Sequence, residues 1–238
     1  MPKAEQIIKQ LQVVASASRA KGLARFFKTG PGEYGAGDVF LGLTVPQIRA
    51  IVKEDRDLDL REVETLLASK FHEARVAGLF YLVEKTKKAP PETRKKIFKF
   101  YLAHRRRVNN WDLVDLSAPT VVGEYLLAVP GERKVLKTLS REKSLWSRRI
   151  AILATFAFIR AGRFGESLAL AKKYLSDRED LMHKATGWML REVGKRDVKT
   201  LKKFLDDHAS IMPRTMLRYA IEKFPSEERA RYLRRRSG

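Results

Sequence analysis

The sequence contains no cysteine among its 238 residues, which excludes disulfide bonds, cysteine-based zinc sites and thiol catalysis. It also contains no apolar run near the roughly 18 residues that a membrane-spanning helix needs. The first residues, MPKAEQIIKQL, carry charge where a signal peptide would be apolar. We therefore expect a soluble protein of the cytoplasm that does not act at a membrane.

Histidine is scarce as well. The four histidines are scattered along the chain and have none of the HxxxH or HExxH spacings by which a helix presents two imidazoles to one metal ion. They are His72, His104, His183 and His208. The sequence therefore predicts no metal site.

Acidic residues are too few to balance the basic ones. Lys and Arg together number 49 against 28 Asp and Glu, which gives a formal net charge of +21. Such an excess repels itself unless a polyanion neutralises it, and DNA or RNA is the usual partner of this kind. The alternative is a thermophilic protein rich in Lys and Arg, although such proteins usually gain Glu too. We therefore expect a nucleic acid as the partner.

Strand patterns are nearly absent, whereas apolar residues recur at spacings of three and four along most of the chain. Ile7 and Leu11 begin one such pattern, and Leu201, Phe204 and Leu205 belong to a late one. Together these patterns predict about eleven to thirteen helices of roughly 10 to 18 residues, joined by short polar turns.

Consecutive helices are expected to pack as antiparallel pairs. Pairs that repeat roughly every 30 to 45 residues are typical of HEAT-like repeats, which stack into a curved α-solenoid. We therefore predict an all-α fold with residues 1–238 as a single HEAT-like repeat domain and 234–238 as a basic tail; a compact irregular bundle is the alternative. The predicted pairs are 71–88 with 90–106, 145–161 with 164–176, and 178–194 with 197–208.

Two helices have distinctive local sequences. Residues 150–159, IAILATFAFI, are apolar on almost every side, which predicts a helix that is buried nearly all round. Thr44 precedes Pro46 and is followed three residues later by Gln47, which predicts a capping box at the start of another helix.

A glycine-rich segment, GPGEYGAGD, occupies residues 30–38 and contains a literal G-x-G-x-x-G at Gly30, Gly32 and Gly35. A dinucleotide fingerprint also requires a preceding strand and a βαβ unit, and the flanks here are helical. We therefore predict a flexible loop between helices and no nucleotide cofactor.

Trp111 and Asp115 are four residues apart, so on a helix they share one face. They follow directly on three basic residues, Arg105 to Arg107, where phosphate would repel a carboxylate. Asp112 points elsewhere and suits a cap or first-turn role. The plain alternative is that Trp111 anchors a core and Asp115 pairs with a nearby arginine.

The other two tryptophans also lie beside charged residues. Trp146 precedes Arg148 and Arg149 at the entry to the apolar helix, and Trp188 lies one turn from Arg191 and Glu192. Arginines in such places bind phosphate or carboxylate, although they also frame core helices as snorkelling side chains. The combination favours an aromatic-lined cationic cleft over three separate core anchors.

Four segments resemble the AlkD-type alkylpurine DNA glycosylases, and they occur in the order found in that family. They are ARFFKTG through FLGLTVPQIR (24–49), NNWDLVD (109–115), LWSRRIAIL (145–153) and KATGWMLRE (184–192). The resemblance implies a solenoid of HEAT-like repeats with a basic concave face, acting as a monomer on duplex DNA. It implies hydrolysis of the N-glycosidic bond of N3- or N7-alkylated purines, in base excision repair of alkylation damage, without metal, cofactor or tight base-flipping pocket.

The resemblance also assigns residues. The catalytic aspartate corresponds to Asp115, the cleft tryptophans to Trp111 and Trp188, and the cleft arginine to Arg149, or to Arg148 if the alignment shifts by one. The family's N-terminal tyrosine corresponds to Phe26 or Phe27, which lack the hydroxyl. The side chains expected to contact DNA are Phe26, Arg105, Arg106, Arg107, Arg148, Lys184 and Arg191.

The chemistry of such a substrate suits these residues. A cationic alkylpurine is already a good leaving group, so the remaining need is a fixed carboxylate that stabilises positive charge on the deoxyribose. The alternative function is a HEAT-repeat protein that binds structured or branched DNA without catalysis. A helical repeat that binds RNA or protein is a third hypothesis.

Overall fold

The computed structural model describes residues 1–54 and 58–235. Most of the predicted basic tail, residues 236–238, lies outside the described residues. The α-helices are α1 (Lys3–Val13), α2 (Ala17–Phe26), α3 (Val45–Glu54), α4 (Leu60–Ala68), α5 (His72–Lys88), α6 (Pro91–Ala103), α7 (Trp111–Ala118), α8 (Tyr125–Ala128), α9 (Lys134–Leu139), α10 (Leu145–Arg160), α11 (Gly165–Lys173), α12 (Asp180–Arg196), α13 (Val198–His208), α14 (Arg214–Ala220) and α15 (Ser226–Arg234).

Shorter helical segments join some of these helices. Arg105–Arg107 forms a 3-10 turn between α6 and α7, and Pro119–Glu124 forms a π-helical turn between α7 and α8. In the described part of the chain β-structure is limited to one isolated bridge between Val39 and Phe71. The prediction of an all-α fold built from successive helices is confirmed, and the basic concave face stays a prediction.

The chain divides into two compact units, Met1–Val121 and Val122–Gly238. The prediction of a single repeat domain therefore stays a prediction. Among the described residues no single helix is long and apolar enough to cross a membrane; one bent pair, Trp111–Ala128 with Pro130–Leu139, passes by length and composition.

The first unit is organised around α5, which is buried along most of its length because α3, α4 and α7 pack against it. One half of the predicted capping box at the start of α3 is present, since the Gln47 side chain accepts a hydrogen bond from the Thr44 backbone N–H at 2.9 Å. Asn110 is the N-cap of α7 and accepts from the Trp111 N–H at 2.8 Å. This cap sets where α7 begins against α5.

The second unit is organised around α10 and α12. The prediction for residues 150–159 is confirmed, because every residue of this stretch except Phe156 is buried. α12 packs against α10, α13 and α14. Gly187 permits the contact with α14, since a Cβ there would lie 2.5 Å from the Met216 carbonyl oxygen.

Candidate functional site

Trp111 and Asp115 lie one turn apart on α7, and both side chains are half-buried. Asp115 is close enough to the fully buried Tyr101 for its negative charge to act on the phenol. Burial raises the pKa of Tyr101, the hydrogen bond with Ser117 opposes this rise, and the charge of Asp115 adds to it. The carboxylate therefore lies at the boundary between the core and the surface of the first unit.

Trp111 belongs to a group of rings that we call the aromatic cluster. Phe27 stacks on Trp111 with ring centroids 5.2 Å apart and an interplanar angle of 12°. Phe27 also stacks on Phe40 at 4.9 Å, and Phe40 stacks on the His72 imidazole at 4.5 Å. The indole is thus held by ring contacts that continue into the interior. The aromatic cluster comprises Phe26, Phe27, Phe40, His72 and Trp111.

Phe26 and Phe27 occupy different environments although they are neighbours in sequence. Phe27 is 7% exposed and supports Trp111 from inside, whereas Phe26 is 64% exposed and meets the indole edge-on at 6.1 Å. Phe26 can therefore contact a ligand, and Phe27 has a packing role. The predicted contact residue, Phe26, has the required exposure.

The first turn of α7 is held by a group of side chains that we call the polar cluster. His72, at the start of α5, approaches a carboxylate with each ring nitrogen: Nδ1 is 3.0 Å from Asp38 Oδ2, and Nε2 is 2.7 Å from Asp112 Oδ2. Asn110 donates to the same Asp38 oxygen at 3.0 Å. The polar cluster comprises Asp38, His72, Arg75, Asn110 and Asp112.

Arg75 completes the polar cluster. Its guanidinium donates through Nη2 to Asp38 Oδ1 and through Nη1 to the side chain of Asn109, each at 2.5 Å. Burial raises the pKa of Asp38, but the hydrogen bond from His72 and the charge of Arg75 outweigh it and lower the pKa to about 2. Asp38 is therefore ionised at neutral pH.

The glycine-rich segment ends at Asp38 and places this residue in the polar cluster. Backbone hydrogen bonds fold the segment, among them Gly35 N–H to the Lys28 carbonyl and Asp38 N–H to the Gly35 carbonyl, both at 3.1 Å. A Cβ at Gly35 would lie 2.4 Å from the Phe27 carbonyl oxygen, so this glycine is required for the close approach. The loop thus has a positioning role that the sequence alone did not assign.

A pocket of about 730 Å³ adjoins the aromatic cluster in the first unit. Its walls are mainly apolar and include Phe26, Phe27 and Leu116, while His72 and Asp112 supply polar edges. The polar cluster therefore borders a space that water or part of a ligand can enter.

The basic run before α7 has one anchored and two exposed members. Arg105 donates to the Leu102 carbonyl at 2.8 Å, whereas Arg106 and Arg107 are exposed. Exposed guanidiniums in a short turn are suited to phosphate contacts. The predicted DNA contacts of these three arginines stay predictions.

In the second unit Trp188 lies on α12 and is half-buried. Its indole N–H donates to Glu192 one turn later at 3.2 Å, and its ring lies 5.9 Å from Phe156. Glu192 is 6% exposed, and it also accepts from Lys195 at 2.6 Å. The sequence already places Glu192 one turn from Trp188, and the structure adds the hydrogen bond through which Glu192 orients the indole.

The two arginines at the start of α10 are both engaged within the unit. Arg148 forms an ion pair with Asp177, with Nε 2.8 Å from Oδ2. Arg149 is 4% exposed and donates through Nη1 to the Leu181 carbonyl. Of the two, Arg148 is the more exposed. A phosphate contact by either residue stays a prediction.

The remaining predicted contact residues also make ion pairs. Arg191 pairs with Glu222 on the segment after α14, and Lys184 pairs with Asp180 one turn earlier at 2.9 Å. Lys184 is only half-buried, so DNA can compete for its ammonium group.

Residues 7–224 match the DNA alkylation repair enzyme family. The chain belongs to this family. The resemblance found in the four sequence segments is thereby confirmed at the level of the family, and a role in DNA alkylation repair follows.

One solved structure with a similar fold is that of a protein from Enterococcus faecalis described as a predicted DNA alkylation repair enzyme. The match has a TM-score of 0.71 at 15% sequence identity and covers 89% of this chain and 97% of that one. At this identity the likeness shows a common fold. No curated protein sequence matches the chain.

In this member of the DNA alkylation repair enzyme family, helical spacing was enough to place Trp111 and Asp115 on one face of α7. The polar cluster was missed because its partners lie 34 to 72 residues apart in the sequence. Asp112 has the expected first-turn position, since it accepts from the Leu113 N–H at 2.8 Å, but it also pairs with His72.

Residues 1–54 and 58–235 contain no cluster of three or more His, Asp or Glu side chains suited to a metal ion.

Proposed function

We propose that the protein is a monofunctional DNA glycosylase that hydrolyses the N-glycosidic bond of cationic N3- or N7-alkylated purines in duplex DNA. Membership of the DNA alkylation repair enzyme family supports a DNA substrate and a repair role. The observation that carries the proposal is the half-buried carboxylate of Asp115, one turn from the ring-supported Trp111.

The proposed chemistry needs only one fixed negative charge. An N3- or N7-alkylated purine carries positive charge, so it leaves without a strong general acid. As the bond breaks, positive charge grows on the deoxyribose, and the Asp115 carboxylate stabilises it and orients the attacking water. A preorganised group of this kind contributes on the order of 3 kcal/mol to the stability of a transition state.

The aromatic side chains have a binding role in this proposal. Trp111 presents a π face that favours nearby positive charge, and the exposed Phe26 extends the same apolar surface. In the second unit, Trp188 is proposed to contact the sugar–phosphate backbone, and Arg149 a phosphate. Selection then depends on the charge and lability of the lesion more than on base edges, so no tight base-flipping pocket is needed.

The experiment that tests this function identifies the products. Wild-type protein is incubated with methylated duplex DNA, and the released bases and the remaining strand are analysed. We expect free 7-methylguanine and 3-methyladenine together with intact strands carrying abasic sites. Restored guanine in the duplex, strand cleavage without heating, or no product at all would contradict a monofunctional glycosylase.

A second candidate is a protein that binds structured or branched DNA without catalysis. The net charge of +21 favours it, because such a charge binds DNA whether or not a reaction follows. The two functions differ in base release and not in affinity, because both predict that Asp115→Asn keeps or gains affinity as a repelling charge is lost. A non-catalytic binder would release no base, either as wild type or as Asp115→Asn.

A further inference from the structure

His72 is placed so that it needs a proton on both ring nitrogens. A neutral imidazole has one N–H donor and one lone pair, so it can donate to only one of two carboxylates. In the structure both nitrogens lie within 3.0 Å of a carboxylate oxygen, on Asp38 and on Asp112. With a neutral ring, one of these contacts would set a lone pair against a carboxylate. The geometry is therefore that of an imidazolium.

The charges of the polar cluster balance only with that proton. Asp38 and Asp112 contribute two negative charges, and Arg75 contributes one positive charge. Because His72 is 2% exposed, an uncompensated negative charge beside it would be costly. The stacked Phe40 ring also favours a cation at the imidazole position.

Burial lowers the pKa of His72, but the hydrogen bonds with Asp112 and Asp38 outweigh it, so the pKa is raised above its ordinary value of 6.5. The charged groups that face the ring come from three elements. Asp38 comes from the glycine-rich segment, Asp112 from α7 and Arg75 from α5. Other charged side chains line the adjoining pocket and are Arg19, Arg49 and Glu73.

The polar cluster fixes the residues that flank Trp111. Arg75 holds Asn109, Asp38 holds Asn110, and His72 holds Asp112. These contacts, with the stacking of Phe27 on the indole, determine where the first turn of α7 lies. Since Asp115 projects from the next turn of the same helix, its direction depends on that first turn.

We infer that His72 is a positioning residue: as an imidazolium bridging Asp38 and Asp112, it fixes the first turn of α7 and thereby aims Trp111 and Asp115. The inference rests on the proposed glycosylase function and deepens it by making base release depend on the protonation of a residue that does not touch the DNA. Release therefore weakens as pH rises through the pKa of His72 in the folded protein.

The test compares wild type, His72→Gln and His104→Gln. Glutamine keeps much of the side-chain volume but carries no charge and cannot donate in both directions. His104 is the matched control, because it also pairs with a carboxylate, Glu64, at 3.1 Å but lies at the end of α6. The rate of 7-methylguanine release is measured with enzyme in excess from pH 5.5 to 9, with DNA affinity measured separately.

The ratio of the wild-type rate to the His72→Gln rate is the informative quantity, because any pH dependence of the substrate cancels in it. We expect a ratio of roughly 10 to 100 at low pH, the loss that a small misplacement of a reacting group produces. The ratio should fall towards one at high pH, while DNA affinity changes little. His104→Gln should follow wild type at every pH.

A ratio that is constant with pH would overturn the inference, as would a His104→Gln profile that matches that of His72→Gln. In either case the glycosylase function stands, because wild type still releases base. Absence of release by wild type itself would remove the proposed function, and the inference with it.

A second measurement does not depend on whether His72→Gln folds. In a protein whose other three histidines are replaced by Gln, the ring nitrogens of His72 are observed directly by ¹⁵N NMR. Two ring N–H groups at neutral pH support the imidazolium bridge. A single N–H at neutral pH overturns it, whatever the kinetics show.

Discussion

Two adjacent phenylalanines, Phe26 and Phe27, have different roles at this site. Phe27 is buried between Trp111 and Phe40, whereas Phe26 projects into solvent beside the indole. Phe27 maintains the position of the tryptophan, and Phe26 is exposed and is proposed to contact DNA. Their substitutions should therefore affect different quantities.

We expect Phe27→Ala to lower the free energy of unfolding by about 3 to 5 kcal/mol, because a buried ring is lost. Phe26→Ala should change stability by less than about 0.5 kcal/mol, as for most surface substitutions, and should weaken DNA binding several-fold. Thermal melting and fluorescence anisotropy with duplex DNA measure the two effects. Equal destabilisation by both variants would contradict the packing role of Phe27 and the exposed position of Phe26.

The candidate site was partly visible in the sequence because some of its geometry is local. The spacing of Trp111 and Asp115 fixes their shared face wherever a helix forms. Burial of Arg149 and the pairing of His72 depend on which helices meet, and no periodicity encodes that. Distant partners such as Asp38 and Asn110, 72 residues apart, become neighbours only in the folded unit.

At the scale of elements, the close contact of α12 with α14 depends on Gly187. A Cβ there would lie 2.5 Å from the Met216 carbonyl oxygen and from the Tyr219 Cβ, so the helices must separate. We expect Gly187→Ala to cost about 1 to 3 kcal/mol, or roughly 2 to 4 °C in Tm for each kcal/mol. Gly165→Ala is the control, because a Cβ there meets nothing within 4 Å. An unchanged Tm for Gly187→Ala would show that the helices adjust without cost.

The contact between the glycine-rich segment, α5 and α7 should make the free energy of unfolding depend on pH in two ranges, one acidic and one neutral to alkaline. The pKa of Asp38 is lowered from 3.8 to about 2, so its contribution is complete above pH 3.8 and is lost as pH falls through 2. The pKa of His72 is raised above 6.5, so its contribution is complete below pH 6.5 and is lost as pH rises through the folded value.

Urea denaturation of wild type and Asp38→Asn across the acid range measures the contribution of Asp38, and the same comparison with His72→Gln at neutral to alkaline pH measures that of His72. The difference in stability between wild type and Asp38→Asn should shrink at the acid end, where Asp38 is protonated in the folded and unfolded states alike. A difference that is independent of pH would contradict the lowered pKa.

At the scale of the whole molecule, the net charge of +21 should dominate the affinity for undamaged DNA. If about six phosphates are neutralised, the association constant falls roughly 1000-fold between about 50 and 200 mM salt. Double-log plots of affinity against salt concentration give the number of phosphates from their slope. A slope near zero would contradict a phosphate-based mode of binding.

The negative charge of Asp115 is proposed to drive base release. The most direct measurement is the rate of 7-methylguanine release from methylated duplex DNA by wild type, Asp115→Asn and the control Asp59→Asn. Asp59 caps α4 by accepting from the Glu62 N–H at 2.9 Å, and asparagine caps equally well, so this control changes charge without losing the cap.

We expect Asp115→Asn to be roughly 100- to 1000-fold slower than wild type, with equal or tighter DNA binding, and Asp59→Asn to match wild type. Release by Asp115→Asn at the wild-type rate would contradict the account.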